Sequence, residues 1–402
     1  MNKGWKEDLI ENIFTVSSGS GLSETNFKPG SNNVYGGNGI VGFHNEYTNK
    51  NTELIIGRVG AHCGNVYITS KLSWITDNAL IVNFIEKDNF RKFWFYLLNH
   101  LHIRNYAFQS AQPVITGGIL KRITLNLPPL PQQKKIAKIL STCDMVIEKT
   151  EQAIAKYQAL KQGLMQDLFS RGIDLQTGKL RPNFEDAPEL YKESELGMIP
   201  LDWEVKKLED LLKVNGRVGW KGYTVTDLRD EGPLTIGAAQ IDKFNKLDLK
   251  KPVMLSYEKF LESPEIMIKQ GDLLIVQRGT IGKYVLIDID IKEATINPSI
   301  VLLNNIKVNP HFLYYSFGHI SFEKQILNST SQTGVPMISQ AQINNFIVSI
   351  PNNKEELSII TDRLKTIDQK ICTEQSSLAK YEQIKKGLMQ DLLSGEVTVS
   401  EL

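Results

Sequence analysis

One helical segment occurs twice in this chain, and that repeat constrains the fold more than any single motif. Tyr157–Ser170 reads Y-Q-A-L-K-Q-G-L-M-Q-D-L-F-S, and Tyr381–Ser394, 224 residues further on, reads Y-E-Q-I-K-K-G-L-M-Q-D-L-L-S. A repeat of such long period makes the chain two copies of one plan, suited to a target with two matching parts. On a heptad, Ile136, Leu140, Cys143, Ile147, Thr150, Ile154, Tyr157, Lys161, Leu164 and Leu168 advance by alternating steps of four and three, which is a coiled-coil seam. The matching positions are Ile360, Leu364, Ile367, Ile371, Glu374, Leu378, Tyr381, Lys385, Leu388 and Leu392. Even the polar interruptions recur, Thr150 with Glu374 and Lys161 with Lys385. A further stripe, Ile139, Val146, Ala153 and Leu160, flanks the first seam; the second has Arg363, Lys370, Ser377 and Ile384 there. Each helix follows a proline-marked stop and is expected to run about 38 residues, or roughly 57 Å. A helix of that length with an apolar seam needs a partner. The simplest partner is the other copy, packed antiparallel within the chain.

The segments ahead of each helix are rich in Gly, Asn, Ile, Val, Tyr and Phe, in short alternating runs punctuated by turn residues. They read as α+β domains dominated by curved β-sheets. The expected order is a domain over 1–130, a helix over 131–170, a linker over 171–199, a second domain over 200–351, a second helix over 352–394 and a tail over 395–402. The two domains align weakly: Trp5 with Trp203, Arg58-Val59-Gly60 and Gly64 with Arg278-Gly279 and Gly282, Asp77–Leu80 with Asn297–Ile300, and Gln112–Ile115 with Val335–Ile338. Similar helices and divergent sheets suggest a shared frame carrying variable readers, an internal pseudo-two-fold repeat.

Composition narrows the function. Apolar content of 41% and charged content of 23% are those of a soluble globular protein. No apolar run marks a signal peptide near Met1–Asp8, and Phe93–Leu98 is too short to span a bilayer. Cys63, Cys143 and Cys372 form no C-x-x-C pair, which fits a reducing cytoplasm. The formal charge of +1 gives no global basic character, so a nucleic-acid surface must be local. Catalytic motifs fail one by one. Asn297-Pro298-Ser299-Ile300 lacks the second proline and the aromatic of a base-methylating loop, and reads as a turn. Gly282-Lys283 has Gln277 where a P-loop needs glycine, and Tyr284 after the lysine. Asp202, Glu204 and Lys206 have no separate acidic partner, and His62 beside Cys63 has no third ligand at metal spacing. The pattern is that of a recognition protein, not a catalyst.

Base edges are read by amides, hydroxyls and cations, and phosphates are held by cations and exposed amides. Lys28–Asn45 has that chemistry: Lys28, Asn32, Asn33, Tyr35 and Asn38 among glycines, also readable as a hairpin with turns at Gly36-Gly37 and Asn38-Gly39. Arg58 and Arg278 stand at related glycine-rich turns. Gln109 and Gln112 precede Pro113, and Gln332 precedes Pro336. Arg217, Lys221 and Tyr223 make a basic, aromatic loop in the second domain.

The layout as a whole resembles the specificity subunit of type I restriction-modification systems, the HsdS family. The resemblance is carried by L-P-P-L-P-Q-Q-x-x-I-A-x-I-L, K-Q-G-L-M-Q-D-L-F, the E-L-G-M-I-P-L-D-W-E-V-x-K-L approach to the second domain, and the second helix. It spans nearly the whole chain. It implies two target recognition domains, each reading one half of a bipartite double-stranded DNA site, with an antiparallel helix pair fixing the gap. It implies a non-catalytic subunit that binds no cofactor itself. S-adenosylmethionine, ATP and Mg are expected on partners: two adenine-methylating modification subunits docked on the helices, and a motor and restriction subunit. Asn352-Asn353-Lys354-Glu355-Glu356 departs from the proline-rich pattern at the second helix start. The alternatives are the specificity chain of a fused restriction-methylation enzyme, and a coiled-coil scaffold that reads no DNA.

Overall fold

The computed structural model describes residues 4–86, 90–108, 112–217, 222–330, 336–397 and 399. It divides into two compact units, Met1–Ala153 with Glu374–Leu402, and Ile154–Thr373.

The first unit starts with an antiparallel ribbon, Lys6–Leu9 against Thr124–Leu127, which brings the chain start beside the first long helix. A four-stranded antiparallel sheet runs Phe14–Ser18, Ala79–Phe84, Leu54–Gly57, Val66–Ile68 in spatial order. Leu54–Gly57 is buried along its length, as an apolar strand in mid-sheet should be. A second sheet sets Asn32–Gly36 between Gly39–His44, antiparallel, and Trp74–Ile75, parallel. Helix Arg91–His100 buries Phe93, Trp94, Tyr96, Leu97 and Leu98. Their core also holds Ile136, Ala137 and Leu140 of the first long helix, together with Leu392 and Leu393 of the second.

The second unit repeats this plan. Its ribbon pairs Trp203–Lys207 with Ile347–Pro351. Its four-stranded sheet runs Lys213–Gly216, Ile300–Asn304, Leu273–Val276, Tyr284–Leu286. Its three-stranded sheet sets Leu228–Ile236 between Met254–Leu255, antiparallel, and Ala294–Ile296, parallel. The core joins Leu168 and Phe169 to Ile360 and Leu364, with Trp203, Phe312 and Phe322.

The long helices span Leu130–Arg171 and Lys354–Ser394, 42 and 41 residues. Pro131 lies inside the first turn, where its missing N–H costs nothing. In each unit the early part of one helix shares a core with the late part of the other, so the pairing is antiparallel. Ile136, Leu140, Ile154, Leu168, Ile360, Leu364, Ile371 and Leu392 are buried. Ile147, Tyr157, Leu164, Leu378, Tyr381 and Leu388 are half-buried, so no seam residue is fully exposed. The flanking stripe is wetter than its composition suggests: Leu160 is 53% exposed and Val146 37%.

The polar interruptions have partners. Lys161 Nζ lies 2.7 Å from Asp368 Oδ1, and Tyr315 donates its hydroxyl to the same carboxylate at 2.9 Å. In the first unit Lys385 Nζ lies 2.5 Å from Asp144, which also accepts from Tyr96 at 2.5 Å. Asp144 and Asp368 are themselves 224 residues apart. Each unit therefore locks its helix pair to a sheet-domain helix through one Tyr–Asp–Lys set.

Segment 171–199 is folded, not slack. Ile173–Asp174 pairs with Lys179–Leu180, and Tyr191–Ser194 with Gly197–Pro200. Gly172 ends the first helix in the left-handed conformation, at φ +66°. The departure at the second helix start also has a physical reason. Asn353 Oδ1 caps the helix, accepting from Glu355 N at 2.8 Å. The fully buried Glu356 accepts from Ile173 N at 2.7 Å and from the Arg181 guanidinium at 2.5 Å.

Candidate nucleic-acid interface

The amide-rich segment of the first domain is a hairpin, closed by Gly37-Asn38 with Gly39 at φ +80°. The turn is pressed against its neighbours. A Cβ on Gly37 would lie 3.1 Å from Asn78 O and 3.3 Å from Val59 O, and one on Gly57 would lie 2.3 Å from Gly37 O. Glycine at both places lets three turns, 36–39, 58–64 and 76–78, converge.

Lys28 is exposed, its ammonium 3.8 Å from Glu46. Asn38 is exposed at the tip, accepting from the Tyr67 hydroxyl at 3.3 Å. Asn32 Nδ2 donates to Asn45 O at 3.1 Å and Asn33 Nδ2 to Ser70 Oγ at 2.9 Å, which leaves both half-buried in the hairpin. Arg58 donates to Ser18 Oγ at 3.2 Å and Asp77 O at 3.5 Å, neutral acceptors that hold the cation over the turns. Gln112 is exposed beside Pro113, and Gln109 lies outside the described residues. Tyr35 is 6% exposed, and its hydroxyl accepts from Ser70 N at 2.9 Å. That makes Tyr35 a core residue and takes it off the candidate surface.

Arg217 is corrected in the same way in the second domain. It is 5% exposed, donates to Ile296 O and Thr295 Oγ1 at 3.1 Å each, and sits 5.6 Å from the Tyr223 ring centroid. Burial lowers its pKa. A basic loop in sequence is here an internal cation beneath a half-buried tyrosine. Arg278 is exposed, with Nη2 3.3 Å from Met337 Sδ. Lys221 and Gln332 lie outside the described residues.

The two arginines are not equivalent. Gly60 N bonds Pro113 O and Gly279 N bonds Pro336 O, while Val59 bridges Val114 as Arg278 bridges Met337. Arg278 thus stands where Val59 stands, and Gln277 where Arg58 stands. Neighbouring positions on an extended segment face opposite sides. The next turn is also shifted by one: Thr76 N bonds Tyr35 O as Asn297 N bonds Ile236 O, so Thr76, not Asp77, matches Asn297.

The converging turns enclose a concavity of about 360 Å³. Phe27, Val41 and Val59 supply apolar walls, and Asn38, His62, Thr76 and Asn78 supply polar edges. Sequence reasoning missed Phe27, Thr76 and Asn78, and read His62 as structural; it is exposed on the rim. Only the glycine spacing hinted that these turns meet. Among the described residues no group of three or more His, Cys, Asp and Glu could hold a metal ion, and no helix is long and apolar enough to cross a membrane.

The sequence profile of the type I restriction modification DNA specificity domain matches residues 2–157 and again 200–385, both copies of the plan. The chain belongs to the type I restriction-modification specificity family. Similar members include the type I restriction enzyme MjaVIII specificity subunit of Methanocaldococcus jannaschii, 28% identical over 323 residues, 78% of this chain and 72% of that one. The EcoprrI specificity subunit of Escherichia coli is 36% identical over 111 residues, 27% of each chain. In fold, this family member is similar to the type I restriction-modification S subunit from M. genitalium, with a TM-score of 0.62 at 16% identity over 98% of this chain and 96% of that one.

Proposed function

We propose that this chain is the DNA sequence-specificity subunit of a type I restriction-modification complex. The recognition domains, 1–130 and 200–351, each read one half of a bipartite site. The observation that carries this is the duplication of a whole arm: ribbon, four-stranded sheet, mixed three-stranded sheet and helix, each built into one end of a helix pair. Two readers on one frame bind two half-sites as a bivalent ligand. The helices fix the spacing and dock two modification subunits, with a motor and restriction subunit completing the endonuclease. The chain itself is non-catalytic. S-adenosylmethionine, ATP and Mg belong to the partners, and the complex works in the cytoplasm.

The reading surface of the first domain is the set of converging turns, with Lys28, Asn38, Arg58 and Gln112 at or near it; in the second it includes Arg278. Cations there contribute salt-dependent affinity and amides discriminate bases. The test is a gel shift of the chain with its modification subunits on random duplexes. Enrichment of a two-part site with a fixed gap supports the reading. Uniform binding of all duplexes would favour a scaffold role, and methylation by the chain alone would defeat a non-catalytic one.

A further inference from the structure

Base edges in a groove are met by side chains that protrude, yet the first domain presents a hollow at the meeting point of its candidate reading turns. A hollow of about 360 Å³ is within the size range of small-ligand pockets. Thr76 is 3% exposed and lines it, yet its Oγ1 has no hydrogen-bond partner in the protein. Buried polar atoms are nearly always paired, so this one is a group awaiting a partner. The hollow has an aromatic wall in Phe27 and polar edges in Asn38 and Asn78. No lysine or arginine lines it, and Glu24 does. A phosphate would be repelled there; a neutral planar ring would not. The second domain treats the same place differently. Asn297, the counterpart of Thr76, has its side-chain oxygen bonded to Ser299 N at 2.9 Å and Ser299 Oγ at 2.5 Å.

We infer that this hollow receives a single nucleobase extruded from the duplex, stacked along Phe27 and hydrogen-bonded on its edge by Thr76. The inference rests on the DNA-reading role proposed above. Extruded bases are held in this way, between apolar or aromatic walls with polar groups on the pairing edge. No bond is made or broken in the step; a base pair opens and the freed edge exchanges its partner.

The experiment uses the full chain with its modification subunits, and duplexes carrying its site with 2-aminopurine at one position at a time. Fluorescence should rise several-fold at one position. Val41→Trp, which fills the hollow from a partly exposed strand, should abolish that signal and weaken binding. Thr76→Val keeps the shape and loses the hydroxyl, and should weaken binding about 2- to 10-fold, the worth of one hydrogen bond. Its melting temperature should be unchanged or higher, because the hydroxyl has no partner in the free protein. Specific binding by both variants with an unaltered fluorescence profile overturns the inference alone; a bright position that persists in both belongs to the modification subunits. A wild-type complex with no sequence preference defeats the DNA-reading role as well.

Discussion

Lys161 Nζ lies 2.7 Å from Asp368 Oδ1, and the pair recurs 224 residues along as Lys385 with Asp144 at 2.5 Å. Burial lowers the Lys161 pKa, and Asp368 opposes that; the Asp368 carboxyl is itself held below its ordinary range, Lys161 and Lys246 outweighing its burial. The first pair is 17% and 15% exposed, the second 28% and 38%. Asp368→Asn should therefore destabilise the second unit by about 2–4 kcal/mol, because it leaves a desolvated lysine unpaired. Asp144→Asn should cost about 1 kcal/mol or less. Denaturant unfolding read by hydrogen exchange separates the two, and equal effects would contradict the burial argument. Lys161→Asp with Asp368→Lys should recover part of the loss.

Gly172 holds the end of the first helix where no side chain fits. A Cβ would lie 2.2 Å from the Arg181 guanidinium, 2.3 Å from Glu356 Oε1 and 2.9 Å from the Trp203 ring. Gly172→Ala should cost about 2 kcal/mol or more, combining strain at positive φ with displacement of a buried ion pair. Gly178→Ala, at the same φ of +66° but with nothing within 4 Å, should cost about 1 kcal/mol. Thermal unfolding of the two variants compares them directly.

His319 gives the second unit an acid-sensitive term. Its Nδ1 caps helix Ile320–Ser329, its Nε2 is 3.1 Å from Ser170 Oγ, and burial pushes its pKa from 6.5 to about 4. The unfolded chain then binds the proton more readily between those values, so stability falls as pH drops through that window, by about 3 kcal/mol in all. His319→Asn keeps a capping side chain and removes the titration. Its stability should be nearly flat from pH 6.5 to about 4.5, where the wild type declines; parallel curves would refute the assignment.

Arg58 is held by neutral acceptors above the first-domain turns. Arg58→Ala should reduce affinity for the cognate site about tenfold, with a salt slope shallower by about one if it meets a phosphate. Arg217→Ala, by contrast, should unfold the second domain before it alters sequence preference, because the guanidinium is internal. Binding isotherms at several salt concentrations, alongside melting curves, distinguish the two.

The helix pair was legible because a seam is a local, repeating pattern, and its irregularities repeat with it. Asp144 and Asp368 were not, since each stands one place outside the seam and becomes a partner only once the helices run antiparallel. Lys161 and Lys385 looked like interruptions for the same reason. The domain alignment slipped by one because the glycine turns differ in length, Gly60 to Gly64 against Gly279 to Gly282. Arg217 and Tyr35 show that residue type does not report burial: both have the chemistry of a reading surface, and both are inside. The concavity is invisible in sequence because its wall residues come from five separate segments that glycines allow to meet.

The central claim is that each domain reads one half of a bipartite site. It is tested most directly by mapping methylated adenines genome-wide in cells carrying the modification subunits, with this chain and with one whose residues 1–130 are exchanged for another family member's. The predicted result is a two-part methylated motif in which one half changes, while the other half and the gap stay the same. A motif that changes in both halves, or in neither, would contradict the account.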